Sequence, residues 1–235
     1  MCDLARRPFG LRPIDVGQAT FHERVAPDRN RIGLLSRKLV ISHGTRSLFI
    51  HIQKTAGSSI EGALWRADPA IGAHLRDGRR HQFAREVRGA VAPEVWRDYF
   101  KFAFVRNPWD RLVSWYAMCM QNPSSNKFSR YVHDTAPTFS DFIGKATTGV
   151  GIRTTYNQLD YVSDDYGTVI VDFIGRYERL GDDFAVVRDR LKLPQDLAHL
   201  NRTPHGEYRE YYTAETRDIV ARRFARDIAH FGYAF

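Results

Sequence analysis

Cysteine is nearly missing from this 235-residue chain: the two present, Cys2 and Cys119, form no CxxC pair. That count argues against a disulfide framework and against a dithiol redox motif. Long hydrophobic runs are missing too, and no stretch reads as a membrane-spanning helix. The opening residues, Met1-Cys2-Asp3-Leu4-Ala5-Arg6-Arg7, lack the apolar centre of a signal peptide. There is no HExxH, no Cys/His ligand cluster, no internal repeat and no low-complexity segment. Basic residues outnumber acidic ones, 35 to 27, for a net charge of +8, yet no basic run exceeds Arg-Arg. Scattered charge without interleaved aromatics argues against nucleic acid and fits an anionic small ligand. A soluble, cytoplasmic, bacterial enzyme is the expectation.

The length suits one α/β domain with a sizeable core. Residues 1–37 are rich in Arg and Pro, with Pro8, Pro13 and Pro27 breaking any long element, and read as an irregular arm. Residues 38–235 then form the single domain. Residues 39–42 predict a strand that turns through residues 43–46 into a central strand over 48–52. The chain next runs Gln53-Lys54-Thr55-Ala56-Gly57-Ser58-Ser59, after which Ile60, Ala63 and Leu64 recur at helical spacing. Strand, polar loop, helix is a phosphate cradle, because the N–H groups that open a helix lack intrahelical partners and carry partial positive charge. Gly57 allows close backbone approach, and Ser58 or Ser59 can cap the helix or donate to a ligand. It is not a Walker A loop, which places Lys directly after a Gly; Lys54 here precedes Gly57 by three positions. His51, alternating among apolar residues, reads as a satisfied core histidine.

A second run follows: Phe100-Lys101-Phe102-Ala103-Phe104-Val105-Arg106-Asn107-Pro108-Trp109-Asp110-Arg111-Leu112-Val113-Ser114. Its apolar half predicts a buried strand. Asn107 suits an N-cap, Pro108 the first helical position, and Asp110 the positive end of the dipole. Arg106 then falls at a strand's carboxyl end, the edge where open α/β sheets bind ligands, and Ser114 lies about two turns into the helix. Between the two runs, residues 81–87 predict a helix with Phe83 and Val87 on its buried side, and residues 91–96 a second short helical piece. Residues 121–137 and 145–158 read as polar loops near the site mouth, the latter a substrate wall or lid, with Thr138 capping a helix between them. Residues 169–175 predict a further strand, followed by an amphipathic helix carrying Phe184, Val187 and Leu191. A last helix starts at Thr213, with Val220, Phe224, Ile228 and Phe231 as its core stripe.

The first run resembles the 5′-phosphosulfate loop of sulfotransferases of the carbohydrate type. The second resembles their 3′-phosphate motif, and residues 171–184 resemble a later strand with its Gly-Arg-Tyr-Glu stretch. The resemblance covers roughly residues 47–233. It implies a P-loop NTPase-like three-layer α/β fold, with a central, mostly parallel sheet flanked by helices. It implies sulfuryl transfer from 3′-phosphoadenosine 5′-phosphosulfate (PAPS) without a metal, to a carbohydrate or glycolipid hydroxyl. Lys54, Thr55, Ala56, Gly57, Ser58 and Ser59 then hold the 5′ end, with Lys54 also catalytic, while Arg106 grips the 3′-phosphate bidentately and Ser114 adds a donor. Asn201, Arg202 and Thr203 are candidates for closing over the cofactor. His81 is the first choice of general base, His74 the second and Glu86 the third; Glu178 reads as a loop anchor. The alternatives are a small-molecule kinase and a non-catalytic module binding a phosphonucleotide or an anionic glycan.

Overall fold

The structure, a computed structural model, describes residues 40–73, 81–147, 156–194, 197 and 205–235. The arm over residues 1–37, His74, and the trio Asn201, Arg202 and Thr203 lie outside the described residues.

The sheet has four strands in the order β1 (Val40–Ser42), β2 (Ser47–Ile50), β3 (Phe100–Val105) and β4 (Phe173–Arg176). β1 and β2 form the expected hairpin, pairing antiparallel with Ile41 opposite Leu48. β2 and β3 run parallel with Phe49 opposite Phe102, and β3 and β4 run parallel with Ala103 opposite Ile174. The central strands carry no polar alternation because both faces are covered. Phe49, Phe102 and Phe104 pack on one side with Ile60 and Leu64 of helix α1 (Gly57–Ala67) and with Phe184 and Val187 of a later helix, Leu180–Leu191. Leu48, Ile50, Ala103 and Val105 pack on the other side against Val87 of α2 (Ala84–Ala90) and Leu159 of a short helix, Gln158–Val162. The result is the three-layer, mostly parallel sheet that the sequence implied.

After α3 (Pro93–Asp98) and β3, helix α4 (Pro108–Gln121) starts as expected: the Asn107 side chain accepts from the Trp109 N–H at 3.0 Å, with Pro108 at the first position. Three expectations change in detail. Residues 121–137 are not all loop, since α5 (Lys127–Thr135) forms behind Asn126, whose side chain accepts from the Ser129 N–H. Its sequence is mostly polar, and only Phe128 and Val132, one turn apart, mark the face turned to α4. The strand expected over residues 169–175 is confined to β4, with Val169 making an isolated bridge to Ser163. The last helix is two, Ala214–Arg223 behind the Thr213 cap and Ala225–Phe231, divided at Phe224.

Gln158 links this frame to the site. Fully buried, it brackets the backbone of Arg106: its Oε1 accepts from the Arg106 N–H at 2.9 Å and its Nε2 donates to the Arg106 carbonyl at 2.7 Å. Asp227 in turn accepts from the backbone N–H groups of Gln158 (2.7 Å) and Leu159 (2.9 Å), ordering the start of that helix. Gln158→Ala strands two buried backbone groups at the end of β3. We expect a loss of about 2 kcal/mol, read by chemical denaturation; a change under about 0.5 kcal/mol, the range of ordinary surface substitutions, contradicts the clamp.

Candidate anion site at the ends of β2 and β3

Parallel pairing puts the loop after β2 and the residue after β3 side by side. In that loop Lys54 and Ala56 both adopt left-handed backbone, each at φ 69°. Non-glycine residues hold that conformation only where surroundings enforce it. The enforcement is visible at four successive carbonyls, each accepting from a side chain. His81 Nδ1 donates to the His51 carbonyl at 3.1 Å, and Thr55 Oγ1 to Ile52 at 2.8 Å. Arg111 Nε donates to Gln53 at 3.1 Å, and Arg106 Nη1 to Lys54 at 3.2 Å. With the carbonyls held by protein, left-handed residues at alternate positions form the kind of backbone concavity that binds anions through N–H groups. Asn107, Asn126, Thr138 and Thr213 cap their own helices with side-chain acceptors, whereas Ala56 at the N-cap of α1 has none to give.

Gly57 has a different reason from the one expected. A Cβ there would lie 1.8 Å from His51 Nε2, so the glycine makes room for an imidazole rather than for a ligand. His51 is buried, as its core reading required, and its Nδ1 meets Glu61 Oε1 at 2.6 Å within the layer beneath the loop. The His81 ring packs edge-on against it, with centroids 4.3 Å apart. Because His81 Nδ1 donates to a carbonyl, Nε2 is the nitrogen that can accept a proton in the neutral ring. Glu86, the third candidate base, accepts from the Phe83 N–H at 2.9 Å and so caps α2.

Lys54 and Arg106 are adjacent cations. Burial and then the Arg106 charge bring the Lys54 ammonium down to about 8. Arg106 is itself buried and lies 3.9 Å over the Tyr177 ring. Its fork is held by Asp110, with Nε to Oδ2 at 2.7 Å and Nη2 to Oδ1 at 2.8 Å. In this arrangement the bidentate face expected to read a phosphate is turned to a carboxylate in the first turn of α4. His205 Nε2 accepts from Arg106 Nη2 at 3.2 Å, while His205 Nδ1 faces the Gly206 carbonyl at 2.8 Å. Ser114 is buried two turns into α4, Ser59 is buried on α1 and Ser58 half-buried. Glu178 takes the anchoring role: Oε1 accepts from the Asn107 N–H at 2.5 Å and Oε2 from the Tyr233 hydroxyl at 3.3 Å.

The model of the sulfotransferase family matches residues 37–234 of this sequence. The chain belongs to that family. Sulfuryl transfer is therefore its general chemistry. This sulfotransferase is 29% identical over 125 residues to an uncharacterized protein of Archaeoglobus fulgidus, a match spanning 53% of this chain and 94% of the relative. Its fold is similar to that of mouse sulfotransferase SULT7A1, solved in complex with PAP, with a TM-score of 0.52 and 13% identity over 88% of this chain and 95% of that one. At that identity the likeness speaks to the fold, which is P-loop NTPase-like. Among the described residues no helix is long and apolar enough to cross a membrane, and no group of three or more His, Cys, Asp or Glu is placed to hold a metal.

The reading of the sequence missed Asp110 as the partner of Arg106, Gln158 and Asp227 as its backbone clamp, Arg111 beneath the loop, and the His51–Glu61 pair. Two of these had a signal. Asp110 stands four residues after Arg106, and Glu61 sits beside Ile60 on the apolar face of α1, where a carboxylate needs a partner.

Proposed function

We propose that this sulfotransferase transfers the sulfuryl group of PAPS to a hydroxyl of a carbohydrate or glycolipid, with His81 as general base. The observation that carries the reading is the Arg106–Lys54 bridge: one guanidinium touches the loop proposed for the 5′ end and stands at the strand end proposed for the 3′ end. A polyanion suits this place, since burial and the neighbouring Arg106 charge disfavour the Lys54 ammonium and a bound phosphate relieves that penalty. PAPS, when bound, supplies the sulfuryl group and a phosphate leaving group. The backbone N–H groups over Lys54 to Ser59 hold its 5′ end, and Arg106 with Ser114 reads the 3′-phosphate, which ATP lacks. His81 Nε2 takes the acceptor proton as the acceptor oxygen bonds sulfur. The electron pair of the broken sulfur–oxygen bond passes to the phosphate, and Lys54 stabilises the charge that grows there. The acceptor class rests on the likeness of the second motif to carbohydrate sulfotransferases. A sugar hydroxyl also needs a base more than a phenol does, because it is the weaker acid.

Calorimetry with 3′-phosphoadenosine 5′-phosphate (PAP), AMP and ATP tests the nucleotide reading. PAP is expected to bind at least about tenfold more tightly than either. Equal affinities return the site to a generic phosphate binder and reopen the kinase and binding-module alternatives.

His81→Ala should cut PAP release over a panel of sugar and phenol acceptors by about 10²-fold or more while PAP affinity changes little. Retained turnover moves the base elsewhere.

The pH dependence follows from Lys54. Its free-state value of about 8 lies below that of the anion-bound state, so binding takes up a proton wherever the free group is neutral. Affinity for PAP should be flat below about pH 7 and fall above pH 8, by up to tenfold per unit, and Lys54→Met should flatten the profile. An unchanged slope in the variant removes Lys54 as its source.

A further inference from the structure

Arg111 is the one loop-holding residue with no role in the reading above. It lies one turn beyond Arg106, on α4, and its side chain is among the largest fully buried ones in the described structure. Taking a guanidinium out of water costs several kcal/mol, so such groups are kept where they satisfy something. Arg111 forms no ion pair among the described residues at contact distance. Its hydrogen-bond partners are two backbone carbonyls, Gln53 at 3.1 Å and Tyr156 at 3.5 Å, its guanidinium lies 5.6 Å from the centre of the Trp115 ring, and its Nη2 has no hydrogen-bond partner. The carboxylate felt at longer range, Asp227, is already committed to the N–H groups of Gln158 and Leu159. A purely structural arginine would satisfy its whole fork. The one strong contact is to the carbonyl that immediately precedes Lys54, the first left-handed residue of the loop.

We propose that Arg111 is a positioning residue for the 5′-phosphosulfate loop. By holding the Gln53 carbonyl away from the ligand side it fixes the peptide that presents the Lys54 N–H, and its buried charge adds positive potential beneath that N–H. Arg106 does the same for the next carbonyl, so the end of β3 and the first turns of α4, through side chains five residues apart, set two consecutive peptide planes of a loop far from them in sequence. The inference rests on the reading of residues 54–59 as the 5′ site.

The test compares PAP with adenosine 3′-phosphate, which lacks only the 5′-phosphate, on wild type, Arg111→Met and Arg111→Lys. Wild type should prefer PAP. Arg111→Met should lose about tenfold or more in PAP affinity and less than about threefold in adenosine 3′-phosphate affinity. Where the Met variant does not fold, Arg111→Lys is read by the same ratio, since Lys keeps the charge but cannot place a planar fork. A variant that melts earlier yet keeps the wild-type affinity ratio overturns the inference and leaves Arg111 a packing residue. Equal loss of both ligands overturns it too. If wild type itself does not distinguish the two ligands, the 5′ site reading fails first and the inference falls with it.

Discussion

The parallel register of β2 on β3 is the constraint on which the rest depends. Because Ile50 lies opposite Ala103, both strands end at the same edge, and the loop over residues 51–56 emerges beside Arg106. That geometry lets a guanidinium at one strand end donate to a carbonyl of the loop leaving the other. The two motifs are separated by about fifty residues of chain, yet two hydrogen bonds, Arg106 Nη1 to the Lys54 carbonyl and Arg111 Nε to the Gln53 carbonyl, join them. The Gln158 clamp protects that relation by fixing the Arg106 backbone from the other side.

The loop conformation is costly by itself. Two non-glycine residues in left-handed backbone amount to about 1–3 kcal/mol each. A hydrogen bond to a charged donor returns about 1.5–3 kcal/mol, a neutral one nearer 1. Two guanidinium bonds, one hydroxyl bond and one imidazole bond to successive carbonyls are therefore enough to hold the strain. Glycine at 54 or 56 would remove the strain and also the rigidity. What the chain keeps instead is side chains at those positions and a glycine at 57, where the His51 ring, not the backbone angle, demands it.

The sheet, its flanking helices and the two anion motifs were legible in the sequence because each is written locally. Apolar runs of strand length, Asn107-Pro108 before a helix, and a polar loop ahead of Ile60 carry their own signals. The α/β class followed from their order, and the P-loop NTPase-like three-layer fold from the resemblance to sulfotransferases. Most of the support for the site was not legible because most of it is built from pairs distant in sequence. Gln158 meets Arg106 across 52 residues, and Asp227 meets Gln158 across 69. Nothing in the neighbourhood of Gln158 distinguishes it from a solvated helix start. Arg111 likewise sits in a run that reads as motif, while its partner carbonyl at Gln53 lies 58 residues away. Asp110 was read for its helix dipole, a term worth tenths of a kcal/mol, when its larger contact is a bidentate pair with Arg106.

That pair bears on how the site would meet the polyanionic nucleotide proposed for it. Arg106, Lys54 and Arg111 gather three positive groups within one water-poor region, and Asp110 is the carboxylate that faces Arg106 directly. Leaving the fork of Arg106 unpaired beside Lys54 would raise the cost of burying both cations. Asp110 thus steadies the ligand-free site and orients the guanidinium over Tyr177. The same contact limits how a phosphate can approach, because Nε and one edge of Nη2 are already spent on Asp110 and the second Nη2 hydrogen faces His205. The 3′-phosphate of the proposed nucleotide would have to approach through Nη1, alongside the Lys54 carbonyl, or displace Asp110 or His205. The first route would keep the loop clasp intact and tie the proposed recognition of the 3′ end to the peptide that presents Lys54. In the function proposed above, recognition of one end of the nucleotide would then also stiffen the cradle proposed for the other.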